Sequence, residues 1–392
     1  MNTRIGFWLV IFLIVFISVF NTSSYSQTNG NLVVSPNGSI PQLAVDNNGN
    51  AHIVWTTYES ESSSIQYSVV SSSGNKLIDS LQIGNSKYFD EPNISLGKEN
   101  IIISWRAVIG GSESYIDGRF LDYKGNLDSV FGAFSSPGSA SSSTPYSCEL
   151  DKGKFLLAWS GEKTIDGKIL SVDSVNVNTL NFVNLNQSSI KLLGPVILKA
   201  PGINKYSLVW LDDHTGETQL FTRIFNLDNT PVSEIITVST DSLNDLFYYS
   251  AAMDSTGKFI VAWSGDKNNI WQIDKRLFDS SGNPITGCQK VNADSDKVNP
   301  YATVSVSFAK NVNSIIVWEA LLNNHAKVYL NRYDPAGTLL GKTINFTPGQ
   351  DTTNNVYVCA SLKDDLIYMS WNQNNKVMLK IADFNKPEFV KR

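Results

Sequence analysis

The sequence predicts an all-β fold, a seven-bladed β-propeller of four-stranded antiparallel blades. Three observations predict it. Seven tryptophans, Trp55, Trp105, Trp159, Trp210, Trp263, Trp318 and Trp371, recur at intervals of 50 to 55 residues. Each ends a short apolar run, and a Gly-containing turn precedes most of those runs. The repeat also fills the chain from residue 31 to 384, leaving no room for a second domain. A fixed period of this length is the signature of a blade that cannot bury its own face and stacks on its neighbours.

Residues 1–26 stand apart. Arg4 is their only charge, an apolar stretch runs from Phe7 to Phe20 broken only by Ser18, and Ser24 and Ser26 flank Tyr25. A basic start, an apolar middle and a small-x-small site predict a secretory signal cleaved before Gln27. The stretch falls short of the roughly 20 apolar residues of a spanning helix. The expected domains are therefore a signal, 1–26, and one propeller, 27–392. The expected destination is extracellular, periplasmic or cell-surface, without stable membrane insertion, and a monomer is expected.

The first half of each blade reads as strand, tight turn, and second strand ending in Trp. Residues 41–55, 145–159 and 249–263 carry it best; residues 92–105, 195–210, 300–318 and 356–371 are looser copies. In the Asp-x-x-Gly turns, Asp bonds nearby backbone and Gly takes a positive φ. A structural turn is favoured there over a calcium site. The second half carries Arg119, Arg223, Arg276 and Arg332, each 13 or 14 residues after its Trp. Four equivalent arginines predict one shared structural task, stacking on an aromatic ring or pairing with a carboxylate. Blade 3 is irregular over 166–190 and lacks the Arg. Blade 7 offers only three strands, the last at 376–384, so residues 31–36 are expected to supply its fourth and close the ring.

The regular Trp is expected to pack between blades. Trp271 lies outside the pattern. The three cysteines, Cys148, Cys288 and Cys359, fall in blades 3, 5 and 7 and are expected to be buried free thiols.

Strand alternation places the loops between second and third strands on the same face as the loops between blades. Those loops vary, and variable loops on a rigid scaffold are where binding resides. Acids outnumber bases on them. The candidate ligand-binding residues are Glu59, Asp90, Glu91, Arg106, Glu113, Glu162, Asp212, Asp213, His214, Asp266, Glu319 and His325. An acidic, aromatic-flanked mouth suits cations, basic partners or sugars held by carboxylates; solvated loop charge explains the same acids equally well. The net charge of −5 argues against nucleic acid. Three histidines make metal catalysis a poor fit. No Gly-x-Ser-x-Gly elbow, phosphate loop or Cys-x-x-Cys motif is present. No cofactor or metal is expected, and no catalytic residue is assigned.

The two repeat halves, one RxxDxxGxxxG-like and the other PxxxxxDxxGxxxxxW-like, resemble β-propeller repeats of secreted and surface-associated prokaryotic proteins. That resemblance implies architecture and nothing about activity. Asp boxes are absent, the loops supply Arg106 alone where a sialidase needs an arginine cluster, and Gly110-Gly111 is the sole kelch-like double glycine. Residues 252–263 faintly match the docking repeat of quinone-dependent dehydrogenases, without support from other blades. The expected function is a secreted propeller that binds a glycan or an envelope protein without chemistry. The alternative is a carbohydrate-active enzyme, a glycosidase or lyase, with carboxylates at the mouth.

Overall fold

The computed structural model describes residues 31–386 apart from 61, 87–88, 110–112, 132, 137, 139–143, 162–163, 173, 176–179, 185–192, 214–217, 240–244, 294–297, 299–301, 310–311, 323–324 and 348–355. The expected signal, residues 1–26, lies outside the described residues. Seven antiparallel sheets follow one another along the chain, at 39–86, 89–131, 146–184, 193–237, 245–290, 304–345 and 358–383. The chain is a seven-bladed β-propeller, as the tryptophan period requires.

The last blade has three strands from its own end of the chain, and Leu32–Ser35 supplies the fourth, pairing antiparallel with Lys376–Asp383. The ring is thus closed by backbone hydrogen bonds between the chain's two ends, which removes a free sheet edge. Blade 3 is the irregular one: after Thr164–Ser171, both Ser174–Val175 and Leu180–Asn184 pair with that same strand.

All seven repeat tryptophans are at most 1% exposed. Each lies in the second strand of its blade and packs on the blade before it. Trp55 meets Tyr368, Val377 and Leu379, Trp159 meets Phe120 and Phe134, and Trp371 meets Val328 and Leu330. Burying one such ring removes about 150–250 Å² from water, roughly 4–6 kcal/mol of transfer free energy as an upper bound. The core is therefore seven inter-blade layers. Tight packing also fixes Gly38 beside the closure strand, because a Cβ there would lie 2.2 Å from Trp55 Cδ1.

The Asp-x-x-Gly turns form one structure used five times. Asp46, Asp122, Asp254, Asp279 and Asp334 each accept, on a single carboxylate oxygen, the backbone N–H two and four residues ahead, at 2.8–3.0 Å. The glycine at the fourth position takes φ between 79° and 87°. Blade 6 keeps the same backbone loop, with Val312 N–H on Ala309 O. It does so without glycine, and Val312 sits at φ 61°.

Outer strands of blades 4, 5 and 6 pair over only two residues. A second device holds the chain there and in blade 2. Ile116, Leu220, Ile273 and Val328 each donate their N–H to the side chain of Ser135, Ser239, Asn292 and Thr347 in turn. Their carbonyls accept the N–H of Phe134, Val238, Val291 and Phe346. The four arginines divide their task. Arg223, Arg276 and Arg332 lie 5.3–5.9 Å from the ring centroids of Phe225, Phe278 and Phe384. Arg119 and Arg276 reach back to backbone carbonyls of the preceding blade, Ile83 and Val238. Arg223 and Arg332 also donate to backbone carbonyls, those of Ser233 and Phe384. All three cysteines are free, and Cys359 alone is buried. Cys148 and Cys288 are half-buried, a departure from the expected three buried thiols.

Candidate functional site

On the face where second strands end and third strands begin, the connections are shorter than the sequence suggested. Blade 5 turns through Asn268 and Asn269, and blade 7 through Asn374 and Asn375, all four at φ 51–62°. Each is a two-residue hairpin, flanked by the pairs Lys267–Ile270 and Gln373–Lys376. Asparagine tolerates this left-handed conformation, and the pair supplies the twist that a tight antiparallel turn needs. Several residues expected on loops therefore lie on strands.

Asp212, Asp266 and Glu319 are the clearest cases. Asp212 is fully buried and accepts the indole N–H of Trp210 at 2.8 Å. Asp266 is half-buried opposite Trp271, and its Oδ1 is buried without a hydrogen bond from the described residues. Glu319 follows Trp318 and is fully buried. Its Oε2 accepts the N–H of Val356 in blade 7 at 3.1 Å, and its Oε1 finds no partner among the described residues. Burial drives this carboxyl up to about 8, with the Val356 bond pulling the other way. Glu319 is thus a neutral acid at neutral pH, with an oxygen to spare.

The seam beside Glu319 is polar throughout. Thr303 Oγ1 donates to Val356 O at 3.2 Å and accepts Val358 N–H at 3.0 Å, while Asn372 Oδ1 accepts Tyr357 N–H at 2.9 Å. The side chains of Glu319, Thr303 and Asn372 thereby fix the chain as it enters the innermost strand of blade 7. Trp371 and Glu319 belong to the same inter-blade layer, one from each side.

The other expected residues are dispersed around the ring. Glu59 is exposed in the blade 1 connection, with Oε2 on Ser62 Oγ at 3.4 Å. Arg106 is half-buried, donates to Ser114 Oγ at 3.2 Å, and stands opposite Asp90 in register. Glu113 is exposed and opens the third strand of blade 2. Asp213 is half-buried beside Asp212. His325 is half-buried at the start of its strand, opposite Leu322, whereas Glu319 faces Val328. The structure brings Asp90 with Arg106 and Asp212 with Asp213, and does not pair Glu319 with His325. Glu162 and His214 lie outside the described residues, and the side chains of Asp90 and Glu91 are not described.

A set of acids that sequence reasoning missed lies deeper. Asp117, Asp166 and Asp274 each stand directly opposite the repeat Trp of their blade. Asp117 and Asp274 are buried and Asp166 is half-buried. Burial raises the carboxyls of Asp117 and Asp166 above their ordinary range; the Gly118 N–H and the Thr164 hydroxyl oppose it. Their signal was the recurring Ile-Asp-Gly/Lys-Arg/Lys at 116–119, 165–168 and 273–276. In two copies the glycine has a packing cause: a Cβ at Gly118 or Gly167 would lie 2.5–2.6 Å from Phe134 or Phe182. No group of three or more metal-binding side chains occurs among the described residues.

No protein-family model matches this chain. No curated protein sequence matches it either. Solved structures match its fold. An ulvan lyase from a new polysaccharide lyase family, bound to -[GlcA(1-4)Rha3S]-, is 12% identical with a TM-score of 0.59, over 90% of this chain and 95% of that one. The polysaccharide lyase Uly1 is 10% identical with a TM-score of 0.54, over 92% of each chain. Hydrazine synthase of Kuenenia stuttgartiensis is 10% identical with a TM-score of 0.50, over 93% and 98%. Such different activities at such low identity mean that the likeness is one of fold.

Proposed function

We propose that this chain is an exported propeller that binds a polysaccharide on the face toward which the strands of Asp212, Asp266 and Glu319 run. The observation that carries this reading is the Glu319 carboxyl. It is fully buried three residues inside the strand end, its pKa is pushed up to about 8, and its Oε1 has no partner among the described residues. Binding that opens the seam over Glu319 would present a neutral carboxyl, which both donates and accepts hydrogen bonds and so matches the hydroxyl groups of a sugar chain. Half-buried Trp271 and exposed Ile270 stand on the adjacent hairpin and offer an apolar surface to the ring faces. Two polysaccharide lyases sharing the fold over nine-tenths of this chain agree with a saccharide ligand.

The test is retention of residues 27–392 on immobilised neutral and acidic polysaccharides, alongside Glu319→Ala and Trp271→Ala. Specific retention weakened by both changes supports the reading; retention on none of the polysaccharides removes it.

One observation favours catalysis as a second reading. An acid that titrates near 8 carries its proton at neutral pH, as a proton donor to a leaving oxygen requires. Release of reducing or unsaturated ends from a retained polysaccharide, abolished in Glu319→Gln, separates an enzyme from a binder. A binder leaves the polymer intact.

A further inference from the structure

The opposite face of the ring, where the tight turns lie, holds a feature of its own. Between the turns of blades 1 and 2 is a crevice of about 270 Å³, with His52 and Tyr123 in its lining, Leu77 and Ile78 along one side, and Asn48 and Lys98 at its rim. We propose that this crevice is a saccharide-binding site that takes one neutral sugar ring.

Three residues that no other blade repeats converge here. His52 stands three residues before Trp55, where four other blades have Ile102, Leu156, Ile260 and Ile315 and the remaining two have Ser207 and Tyr368. Tyr67 lies opposite Val54, at a register position held elsewhere by Gly118, Gly167, Thr222, Lys275, Leu330 and Leu379. Tyr123 occupies the turn position of Ser280 and Pro335. Burying several polar groups together at one seam works against stability unless those groups are satisfied. Here they satisfy one another. His52 Nδ1 is 2.7 Å from Tyr67 Oη and Nε2 is 3.4 Å from Asp46 Oδ2. A carboxylate only accepts, so Nε2 carries the hydrogen and Tyr67 donates to Nδ1. Tyr123 packs edge-on against the imidazole at 5.5 Å and donates its hydroxyl to Gly97 O. The result is a hydrogen-bonded polar wall at the seam of blades 1 and 2.

The rest of the lining sets the ligand chemistry. Leu77 is 56% exposed and lies beside Ile78, an apolar strip suited to the C–H face of a sugar ring. The Asn48 carboxamide and the Lys98 ammonium border the same space and suit hydroxyl groups, while the Asp46 carboxylate also lines it with its oxygens held by Asn48, Asn50 and His52. One carboxylate beside one ammonium favours a neutral ligand. Drug-sized ligands occupy about 300–1,000 Å³, so this smaller crevice fits a single ring.

The site stands on the face opposite Glu319 and does not depend on the role given to it. The test is saturation-transfer NMR of residues 27–392 with methyl glucoside, methyl galactoside and methyl mannoside. Leu77→Trp, which fills the crevice from an exposed position, and Asn48→Ala, which removes a rim carboxamide, are compared with Glu319→Gln. The expected result is transfer to at least one glycoside, with affinity reduced about tenfold or more in both crevice variants and unchanged in Glu319→Gln. Three results overturn the proposal: no transfer to any glycoside, transfer unaltered by Leu77→Trp and Asn48→Ala, or transfer lost in Glu319→Gln instead.

Discussion

Leu32 lies directly opposite Leu379 in the seventh blade, so the first described strand of the chain is hydrogen-bonded to the last. Val34, 1% exposed in that strand, packs with Trp55 and Val377 where blade 7 meets blade 1. Lys76 Nζ donates to Val34 O at 2.7 Å and ties the closure to blade 1. Removing residues 27–40 should therefore destabilise the whole ring and not merely fray an end. Val34→Asp should cost about 3 kcal/mol or more, because it buries an unpaired charge. Urea denaturation followed by tryptophan fluorescence checks both. A truncated chain that unfolds at the wild-type midpoint would show that the ring does not depend on this strand.

Val312 is a β-branched residue in the left-handed region, in a turn whose five relatives place glycine there. Strain of this kind costs about 1–3 kcal/mol, offset by the flexibility that glycine adds to the unfolded chain. Val312→Gly should raise stability by about 1 kcal/mol, visible as a higher denaturation midpoint with an unchanged m-value. The mirror change, Gly257→Ala, should lower it. Gly257 sits at φ 87°, and a Cβ there would lie 2.9 Å from Ser280 Cβ. Equal effects of opposite sign are not required, but Val312→Gly must not destabilise.

These turns mark what was legible in the sequence. The Trp period and the Asp-x-x-Gly loops act locally or within one layer, so they leave a repeating trace, and blade number, closure strand and the irregular blade 3 all followed from it. The candidate site was less legible. Asp212 and Glu319 were placed on loops because an acid after an apolar run looks solvated; pairing carries the strands further, and both acids are buried. Asp117 was invisible because its motif reads as ordinary strand alternation. The His52–Tyr67 contact joins two strands of one blade, and Tyr123 comes from the next, a juxtaposition that only the ring's curvature creates.

The His52 network should make stability depend on pH. Burial holds the imidazole below its ordinary value of 6.5, with the Asp46 hydrogen bond and charge pulling part of the way back. The unfolded state then binds the proton more readily. Stability from this residue is fully present above about 6.5 and is lost as pH falls through the folded value. Asp46 is shifted down as well: burial raises it, but bonds from Asn50 and His52 outweigh that, so its own contribution fades only below 3.8. The two windows are separate. His52→Ile, the residue of blades 2, 5 and 6, should lose the slope between pH 7 and 5 while keeping the loss at lower pH. An unchanged slope in that variant would assign the effect to other groups.

Glu319 carries the opposite sign. Its folded value near 8 lies above the ordinary 4.5, so the fold favours the protonated carboxyl. That contribution is fully present below about 4.5 and is lost as pH rises through 8, at up to ~1.4 kcal/mol per pH unit. Glu319→Gln keeps an acceptor for the Val356 N–H and never ionises. It should match the wild type near pH 4 and exceed it above pH 7, with the two denaturation curves diverging between. The same variant then divides the functional readings. If polysaccharide retention survives in Glu319→Gln, the side chain acts as a hydrogen-bonding group. If retention survives but polymer cleavage ends, its proton is the one transferred. Curves that stay parallel from pH 5 to 9 would mean that the carboxyl ionises in the fold as freely as in water, and the proton-donor role would fall with that result.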